Sequence, residues 1–364
     1  MAGNRELLDG LFRSGSIDLV RGGLFDTDPP PLPRPLDFDR VEGMLLGLAV
    51  GDALGNTSEG LIPSERLRDH GEIRDYRPSR RSPEGRGVPS DDTQLAFWTL
   101  EHLLEEGRLV PERLTARFCR QTIFGIGSTV KEFVAGFALG RPWFEAGPRS
   151  AGNGALMRIA PVLVPHLAAR TRELWADAAL AAMLTHNDRA STAACVAFTG
   201  MLWELLGMPS APAAEWWAAT YVARAQGLEG ETAYAARGGE YGGYVGPLWR
   251  FVAERVPDAH ARGLTALDAC QSWHSGAYLL ETVPSALYIL ARHAADPEEA
   301  IVRAVNDTRD NDTIAAIVGA AVGALHGTSG LPRRWIENLS GRTTERDDGR
   351  VFELLRQARE RWGT

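Results

Sequence analysis

The sequence DNDTIAAIVGAAVGALHG, residues 310–327, joins an acidic first turn to a helix built almost entirely from small and apolar side chains. Small residues recur at every fourth position, at Ala315, Gly319, Gly323 and Gly327. Each glycine inside a helix costs about 1 kcal/mol relative to alanine. The pattern therefore predicts that another backbone packs closely against this face of the helix.

A second segment carries a matching pattern. The sequence VEGMLLGLAVGDALG, residues 41–55, has glycine at every fourth position from Gly43 to Gly55, and Asp39 is a candidate N-cap. We expect the two small-residue faces to touch. If the helices run antiparallel, Glu59 lies beside the acidic turn of the other helix. Neither segment is long or apolar enough for a transmembrane dimer of the GxxxG type.

Oxygen-rich residues crowd the first turns of two helices. Asp310, Asp312 and Thr313 open the helix of residues 310–327, and SDDT at residues 90–93 opens another helix far upstream. Mg²⁺ and Mn²⁺ prefer such hard oxygen ligands, and two such turns facing each other would form a two-metal site. Taken singly, each motif has a simpler explanation, because Ser, Asp and Thr are ordinary N-cap residues.

The composition is that of a globular protein with a substantial core. The chain has 364 residues, a hydrophobic fraction of 44% and a formal net charge of −8. Nucleic-acid and membrane-surface binding usually needs a basic surface, so both partners are disfavoured. Cys119, Cys195 and Cys270 match no zinc spacing or disulfide framework. Without a signal-length apolar segment at the N-terminus, we expect a cytoplasmic protein with reduced cysteines.

Residues 1–37 differ from the sequence that follows. Two short apolar patches precede PPPLPRP at residues 29–35, which is expected to be extended and semi-rigid. We predict an N-terminal arm on a proline-rich spacer, followed by a helical domain over residues 38–364. The arm is either a disordered or loosely docked extension, as termini often are, or an amphipathic segment that lies over a partner or over the cleft.

The remaining chain is predicted to be helices joined by loops. Residues 60–89 are rich in Arg, Pro and Ser and predict a long loop, whereas residues 273–293 predict a helix. No convincing β alternation or βαβ rhythm occurs, so the predicted fold is all-α. Two glycine-rich turns, FGIGST at 124–129 and SAGNGALMRIAP at 150–161, could present amides to phosphate or ribose. Glycine is also common in ordinary turns.

Taken together, these segments resemble the ADP-ribosylglycohydrolase family. They occur in the family's order and span about residues 40–327, so the resemblance covers nearly the whole chain after the arm. The set is strongly specific, although each piece alone is not. The matching segments are GMLLGLAVGDALG with Glu59 after it, SDDT at 90–93, FGIGST at 124–129, GNGALMRIAP at 152–161, TH at 185–186, SGAYLLETVPSAL at 275–287 and DNDTIAAIVGAAVGALHG at 310–327.

The resemblance implies a compact all-helical domain with a binuclear Mg²⁺ or Mn²⁺ centre at the mouth of a cleft. The implied metal ligands are Ser90, Asp91, Asp92, Asp310, Asp312 and Thr313. The implied catalytic residues are Glu59, Asp92 and Asp312, with Glu59 on a mobile loop near the scissile bond. The implied substrate-binding residues are Gly125, Gly127 and Ser128 for the diphosphate, with Gly152, Asn153 and His186 around the ribose and the cleft wall.

The sequence departs from the family pattern at three places. Ser90 stands where the family often has Thr, and Thr308-Arg309 replaces a common Gly-Gly before the second acidic motif. Ala151 occupies the place from which an aromatic ring stacks on adenine in some relatives. Phe124 is then the candidate for holding the adenine.

The implied function is metal-dependent removal of ADP-ribose from a modified protein, most often from arginine in this family. Serine-linked and O-acyl ADP-ribose are alternative substrates. A different class of alternative is an immunity or regulatory protein that neutralises an ADP-ribosyltransferase toxin, by occlusion with residues 1–37 or by reversing the modification. A third alternative, a metal phosphohydrolase acting on phosphate esters, is weakened by the two glycine-rich turns.

Overall fold

The computed structural model describes residues 3–363, which are mainly α-helical, so the all-α prediction is confirmed. The first nine helices are α1 (Asn4–Ser14), α2 (Phe38–Asn56), α3 (Pro63–His70), α4 (Asp91–Glu106), α5 (Pro111–Arg120), α6 (Ser128–Ala138), α7 (Trp143–Ala146), α8 (Glu173–Met183) and α9 (Arg189–Leu205). The others are α10 (Ala214–Glu229), α11 (Leu248–Ala261), α12 (Ala266–Ser272), α13 (Leu279–His293), α14 (Pro297–Asp307), α15 (Asn311–His326), α16 (Arg333–Glu337) and α17 (Arg350–Trp362).

Short elements complete the secondary structure. Two-residue strands, β1 (Tyr234–Ala235) and β2 (Val245–Gly246), form an antiparallel pair between α10 and α11. 3₁₀ helices occur at Gly23–Asp26, Leu156–Arg158, Ala160–Leu167, Gly239–Tyr241 and Thr328–Gly330. Among the helices of the described residues, none is long and apolar enough to cross a membrane.

Helices α2 and α15 pack backbone against backbone, as the glycine spacing predicted. A Cβ atom placed on Gly47 would lie 2.1 Å from the carbonyl oxygen of Gly319. One placed on Gly43 would lie 2.4 Å from the carbonyl carbon of Gly327. The start of α2 thus meets the end of α15, so the two helices are antiparallel. No side chain fits between them, which explains the glycines in both helix interiors.

The last turn of α2 packs on the acidic first turn of α15. A Cβ atom on Gly55 would lie 2.4 Å from the Cα atom of Asp312. Asn311 Nδ2 also donates a hydrogen bond of 3.0 Å to the carbonyl oxygen of Gly55. The close approach of the two backbones therefore determines where the α15 carboxylates lie.

Helix α2 also positions the first turn of α4. Asp52, which is fully buried in α2, accepts hydrogen bonds from the backbone N–H groups of Ser90 and Thr93 at 2.9 and 3.0 Å. The Thr93 hydroxyl donates to the same carboxylate at 2.5 Å. A carboxylate at a helix N-terminus satisfies amides that the helix itself leaves unpaired. Both acidic turns are therefore attached to α2.

The other helices surround this central pair. Helices α13 and α14 pack on α15, and α4 packs on α2, with α17 outside α4. Helices α8, α9, α10 and α11 follow one another in a packed series around the remaining side. Buried apolar side chains from all these helices form one continuous core.

The predicted start of α2 differs from the structure. Asp37 is the N-cap, and its side chain accepts a hydrogen bond of 3.0 Å from the backbone N–H of Asp39. The prediction that residues 60–89 form only a loop is also wrong, because α3 lies within them and begins at Pro63. Proline at the first helical position is favourable, since its missing N–H would be unpaired there anyway.

The helix predicted over residues 273–293 begins only at Leu279. His274 and Ser275 have positive φ angles of 78° and 45°, which end any helical continuation before α13. The carbonyl oxygen of Ser275 accepts hydrogen bonds from the backbone N–H groups of Arg309 and Asp310, at 3.1 and 3.0 Å. This irregular turn therefore holds the residues that precede α15.

The N-terminal segment is packed on the helical body. Helix α1 lies against α8, and Asn4 Nδ2 donates to Asp177 Oδ1 at 2.5 Å. Leu8 is 2% exposed and belongs to the common core. The proline-rich spacer is docked as well, because Trp203 Nε1 donates to the carbonyl oxygen of Pro30 at 2.8 Å. Residues 1, 2 and 364 of the predicted arm and domain lie outside the described residues.

We predict that Gly47→Ala lowers the free energy of unfolding by at least about 2 kcal/mol, because the new methyl group collides with backbone rather than with a flexible side chain. Gly227→Ala is the matched control, since it lies in α10 with nothing within 4 Å of the added Cβ. The control should be stabilised by about 0.5–1 kcal/mol. Urea denaturation measures both, and equal effects would contradict the packing.

We predict that Leu8→Ala costs about 2–4 kcal/mol, because it leaves a cavity where the N-terminal helix meets the core. Leu139→Ala, at a position that is 83% exposed, should change stability by less than about 0.5 kcal/mol. Thermal unfolding followed by circular dichroism compares the two. A Leu8 variant as stable as the wild type would mean that α1 unfolds independently of the helical body.

Candidate metal centre and ligand cleft

Three helices bring carboxylates together in the interior. Asp52 of α2, Asp92 of α4 and Asp312 of α15 each offer a carboxylate oxygen, and these oxygens lie within 4.8 Å of one another. Their exposed fractions are 0, 2 and 3%. Burial and the neighbouring carboxylates, Asp52 foremost for Asp92 and Asp310 for Asp312, raise the pKa of both groups well above the ordinary range. Such a cluster needs protons or cations to be stable.

One oxygen of this cluster lacks a hydrogen-bond partner. Asp92 Oδ1 is buried without a donor, while Asp92 Oδ2 accepts from the Ser90 hydroxyl at 3.0 Å. A buried, unpaired carboxylate oxygen is unfavourable unless a cation faces it. Asp52 differs, because the amides of α4 already occupy its oxygens. A set of closely spaced hard oxygens with one left free fits Mg²⁺ or Mn²⁺.

Further side chains with oxygen ligands continue from the cluster into an open cleft. Asp91, Asp310 and Thr313 line the cleft, and Glu59 stands at its exposed mouth. Burial and the charge of Asp52 raise the pKa of Asp91 to about 7. Partial withdrawal from water and the charge of Asp310 raise the pKa of Glu59 as well. The floor of the cleft is therefore a proton-rich acidic surface in the absence of cations.

The opposite wall of the cleft is formed by the glycine-rich turns. The cleft has a volume of about 600 Å³. Gly127 is the N-cap of α6 and Ser128 its first residue, so the unpaired amides of that helix face the cleft. Asn153 Nδ2 donates to Asp310 Oδ2 at 2.5 Å and joins this wall to the acidic floor. The cleft thus combines a helix N-terminus, the kind of group that favours anions, with a floor of carboxylates, the kind of group that favours cations.

Most of the residues singled out by sequence lie in this one cleft. Its lining includes Glu59, Asp91, Asp92, Gly125, Gly127, Ser128, Gly152, Asn153, His186, Asp310 and Thr313. Ser90 and Asp312 stand directly behind the lining, in contact with Asp92 and within the carboxylate cluster respectively. The roles assigned to these residues remain predictions, but their convergence in space is observed.

Phe124 lies outside the cleft lining. Its ring is buried beneath the guanidinium group of Arg342, whose Cζ atom is 3.8 Å from the ring centroid. Its backbone N–H donates to Gln94 Oε1 at 2.9 Å. Phe124 therefore supports the turn that carries Gly125 but offers no free ring face to an adenine.

Sequence reasoning missed three residues of the site. Asp52 had a signal, because it is the one acidic side chain inside the apolar stretch of residues 44–54. No sequence pattern marked the side chains of Tyr278 and Arg237, because long-range folding brings them to the cleft. Tyr278 lies opposite Gly152 in a short antiparallel bridge, and the Arg237 guanidinium stacks 4.6 Å from the centroid of its ring.

A buried arginine holds the Glu59 loop against the acidic turn of α15. Arg66 is fully buried, and its Nη1 atom donates to the carbonyl oxygen of Thr308 at 2.9 Å. Its Nε atom donates to the Ser58 hydroxyl at 3.0 Å, and Nη2 donates to the carbonyl oxygen of Leu61 at 2.8 Å. One planar group thus pins both ends of the loop that carries Glu59.

The fold and the site define a class: an all-helical protein in which two acidic helix starts form the floor of a cleft with glycine-rich walls. Comparison with models of known protein families assigns almost the entire chain to one family. The model described as ADP-ribosylglycohydrolase matches residues 33–362. The chain belongs to the ADP-ribosylglycohydrolase family, which confirms the resemblance seen in the sequence.

Individual relatives are similar over most of their length. The ADP-ribosylarginine hydrolase Tri1 of Serratia proteamaculans is 28% identical over 327 residues, covering 86% of this chain and 79% of Tri1. The ADP-ribosyl-[dinitrogen reductase] glycohydrolase of Rhodospirillum rubrum is 25% identical over 330 residues, covering 88% and 97%. A solved structure titled ADP-ribosylglycohydrolase-related protein complex superimposes with a TM-score of 0.65 at 29% identity, covering 88% of this chain and 98% of that one.

We predict that, in EDTA, the protein becomes less stable as the pH rises from about 5 to about 8. The pKa of Asp91 is about 7 in the folded state, above the usual value of about 3.9 for an unfolded chain. The folded state then binds more protons than the unfolded state, so its stability falls as pH rises through that window. Asp92 and Asp312 shift in the same direction.

Added Mn²⁺ should reverse this trend, because cations replace the protons and bind best to ionised carboxylates. Thermal unfolding at about pH 5.5 and pH 8, with EDTA and with Mn²⁺, measures the effect. Asp312→Asn should flatten the pH dependence in EDTA and reduce the Mn²⁺ stabilisation. A melting temperature that changes neither with pH nor with added Mn²⁺ would show that no cation site exists in the cluster.

Proposed function

We propose that this protein hydrolyses the glycosidic bond between ADP-ribose and an arginine side chain of a modified protein, with two Mg²⁺ or Mn²⁺ ions held by the two acidic turns. The observation that carries the proposal is the convergence of the α4 and α15 carboxylates below a cleft walled by glycine-rich turns. The similarity to the ADP-ribosylarginine hydrolase Tri1 of Serratia proteamaculans favours arginine as the linkage.

The residues present fit a pair of divalent cations. Ser90, Asp91 and Asp92 would hold them from α4, and Asp310, Asp312 and Thr313 from α15. Bound there, the cations would supply Lewis acidity and positive charge to orient and polarise the ribose hydroxyl groups.

The carboxylates of the floor would also act on the reacting carbon. Cleavage of the bond from the anomeric carbon to the guanidinium nitrogen passes through an oxocarbenium-like transition state, which nearby negative charge stabilises. The attacking water must lose a proton, and the leaving nitrogen must gain one. Glu59 stands at the cleft mouth with a raised pKa, so we assign this proton transfer to its carboxyl group.

The rest of the cleft would bind ADP-ribose. The free amides at the start of α6, next to Gly127 and Ser128, would hold the diphosphate. Asn153 and His186 would contact the ribose side, and Tyr278 supplies an aromatic ring in the wall where Ala151 has none. These contacts orient the anomeric carbon over the acidic floor.

Arm occlusion of a toxin, the alternative function, requires a different conformation. Leu8 and Leu11 are 2% and 6% exposed in the core. Their release onto a partner would first break the contacts of α1 with α8, so the partner would have to replace that burial. For this reason we place the activity in the cleft and not in the arm.

We predict that the purified protein releases ADP-ribose from arginine-linked peptides with Mg²⁺ or Mn²⁺ and loses this activity in EDTA. Asp92→Asn and Asp312→Asn should each lower kcat at least about 100-fold, because each removes charge that stabilises the transition state. Asp258→Asn, on the exposed face of α11, is the matched control and should leave the rate unchanged.

Three outcomes would contradict the proposal. Wild-type rates in both site variants would show that the acidic floor is not used. Faster release from serine-linked than from arginine-linked peptides would assign the serine linkage instead. Release of inorganic phosphate from simple phosphate esters, with no ADP-ribose released from either peptide, would indicate a phosphohydrolase.

A further inference from the structure

Arg158, in the segment GNGALMRIAP, is buried without a carboxylate partner. Its exposed fraction is 0%, and its Cζ atom lies 5.0 Å from the centroid of the Phe118 ring. Among the described residues no salt bridge reaches it, and its Nε and Nη1 atoms have no hydrogen-bond partner. A guanidinium group buried in this way is unfavourable for stability. Arg158 also takes no part in the proposed chemistry, so its position calls for another explanation.

Among the described residues, only the Nη2 atom of Arg158 makes hydrogen bonds, and these connect Arg158 to the cleft wall. Its Nη2 atom donates to the carbonyl oxygen of Ala181 at 3.0 Å and to Thr185 Oγ1 at 2.7 Å. Arginine has no acceptor, so the Thr185 oxygen must accept this hydrogen bond. The Thr185 hydroxyl keeps its own hydrogen, and His186 Nδ1, at 2.9 Å, is the acceptor available to it among the described residues.

These hydrogen bonds bear on which ring nitrogen of His186 carries the proton. If Nδ1 accepts from Thr185, the neutral ring carries its proton on Nε2. Burial and the charge of Arg158 lower the pKa of His186 to about 3, so the ring stays neutral at ordinary pH. The Nε2 atom has no protein partner among the described residues and belongs to the cleft wall. It lies 3.4 Å from where a Cβ atom on Gly152 would be, and 3.2 Å from one on Gly154.

We propose that Arg158 and Thr185 are positioning residues that fix His186 in the tautomer protonated on Nε2, so that His186 always donates a hydrogen bond into the cleft and never accepts one. The glycines beside it leave the Nε2–H open to a ligand. On the proposed function, the acceptor is a hydroxyl or phosphate oxygen of ADP-ribose. The tautomer itself is a property of the free protein and does not depend on that function.

The direct test is the ¹⁵N spectrum of the free, full-length protein labelled at histidine. Of the eight histidines in the chain, the signals of His186 are identified by their loss in His186→Gln. Between about pH 5 and 8, His186 should show a protonated Nε2 and an unprotonated Nδ1. A protonated Nδ1, or an equal mixture of tautomers, would overturn the inference without involving any ligand.

Variants of Thr185 test the hydrogen-bond relay, by which we mean the chain from Arg158 through Thr185 to His186. Thr185→Val keeps the shape and removes the hydroxyl, so the Nδ1-protonated tautomer should become populated. Thr185→Ser keeps the hydroxyl and should retain the wild-type spectrum. Calorimetric titration with ADP-ribose should show roughly tenfold weaker binding for Thr185→Val and near wild-type binding for Thr185→Ser. Unchanged tautomer and affinity in Thr185→Val would overturn the relay.

Arg158→Met gives an independent arm of the same experiment. In this variant the Thr185 oxygen no longer accepts a hydrogen bond from Arg158, so the Thr185 hydroxyl is free to donate to a group other than His186 Nδ1. The tautomer ratio of His186 should therefore shift even if the protein is as stable as the wild type. Thermal unfolding of each variant separates this effect from loss of fold. If the wild type shows the expected tautomer but does not bind ADP-ribose, the proposed function fails while the positioning of His186 stands.

Discussion

The backbone contact between α2 and α15 is the constraint on which the remaining structure depends. With glycine at Gly43, Gly47, Gly319 and Gly323, the two helices approach more closely than side chains allow. This approach places the end of α2 against the first turn of α15. Because the same helix carries Asp52, it also anchors the first turn of α4. One close-packed helix therefore sets the distance between two acidic turns that are more than 200 residues apart in sequence.

The same arrangement concentrates negative charge where it is least stable. Asp92 and Asp312 are buried beside other carboxylates, and Asp92 Oδ1 faces no donor. Their unfavourable interaction is offset by tight packing elsewhere, including the docking of α1 and the buried hydrogen bonds of Arg66. A ligand that binds such a site removes this unfavourable interaction, and we propose that the ligand here is a divalent cation.

Regular spacing made part of the structure predictable from sequence. The helix contact follows from a four-residue period, and the acidic turns follow from N-cap chemistry. Asp52 was overlooked although it is the one acidic side chain in an apolar stretch, because the prediction relied on periodic patterns and a single carboxylate forms none. Phe124 was predicted to hold the adenine because Ala151 replaces the aromatic ring of some relatives, but Arg342 covers the Phe124 ring. Contacts that depend on distant loops, such as that of Tyr278 with the Gly152 turn, carry no local pattern at all.

The central claim is that the starts of α4 and α15 together hold divalent cations in the folded protein. X-ray diffraction from crystals soaked in MnCl₂, recorded at the manganese absorption edge, tests it most directly. The account predicts anomalous peaks between the carboxylates of Asp92 and Asp312, with Asp91 and Asp310 close enough to coordinate. Crystals that diffract well but show no peak there, or carboxylates too far apart to share a cation, would contradict it.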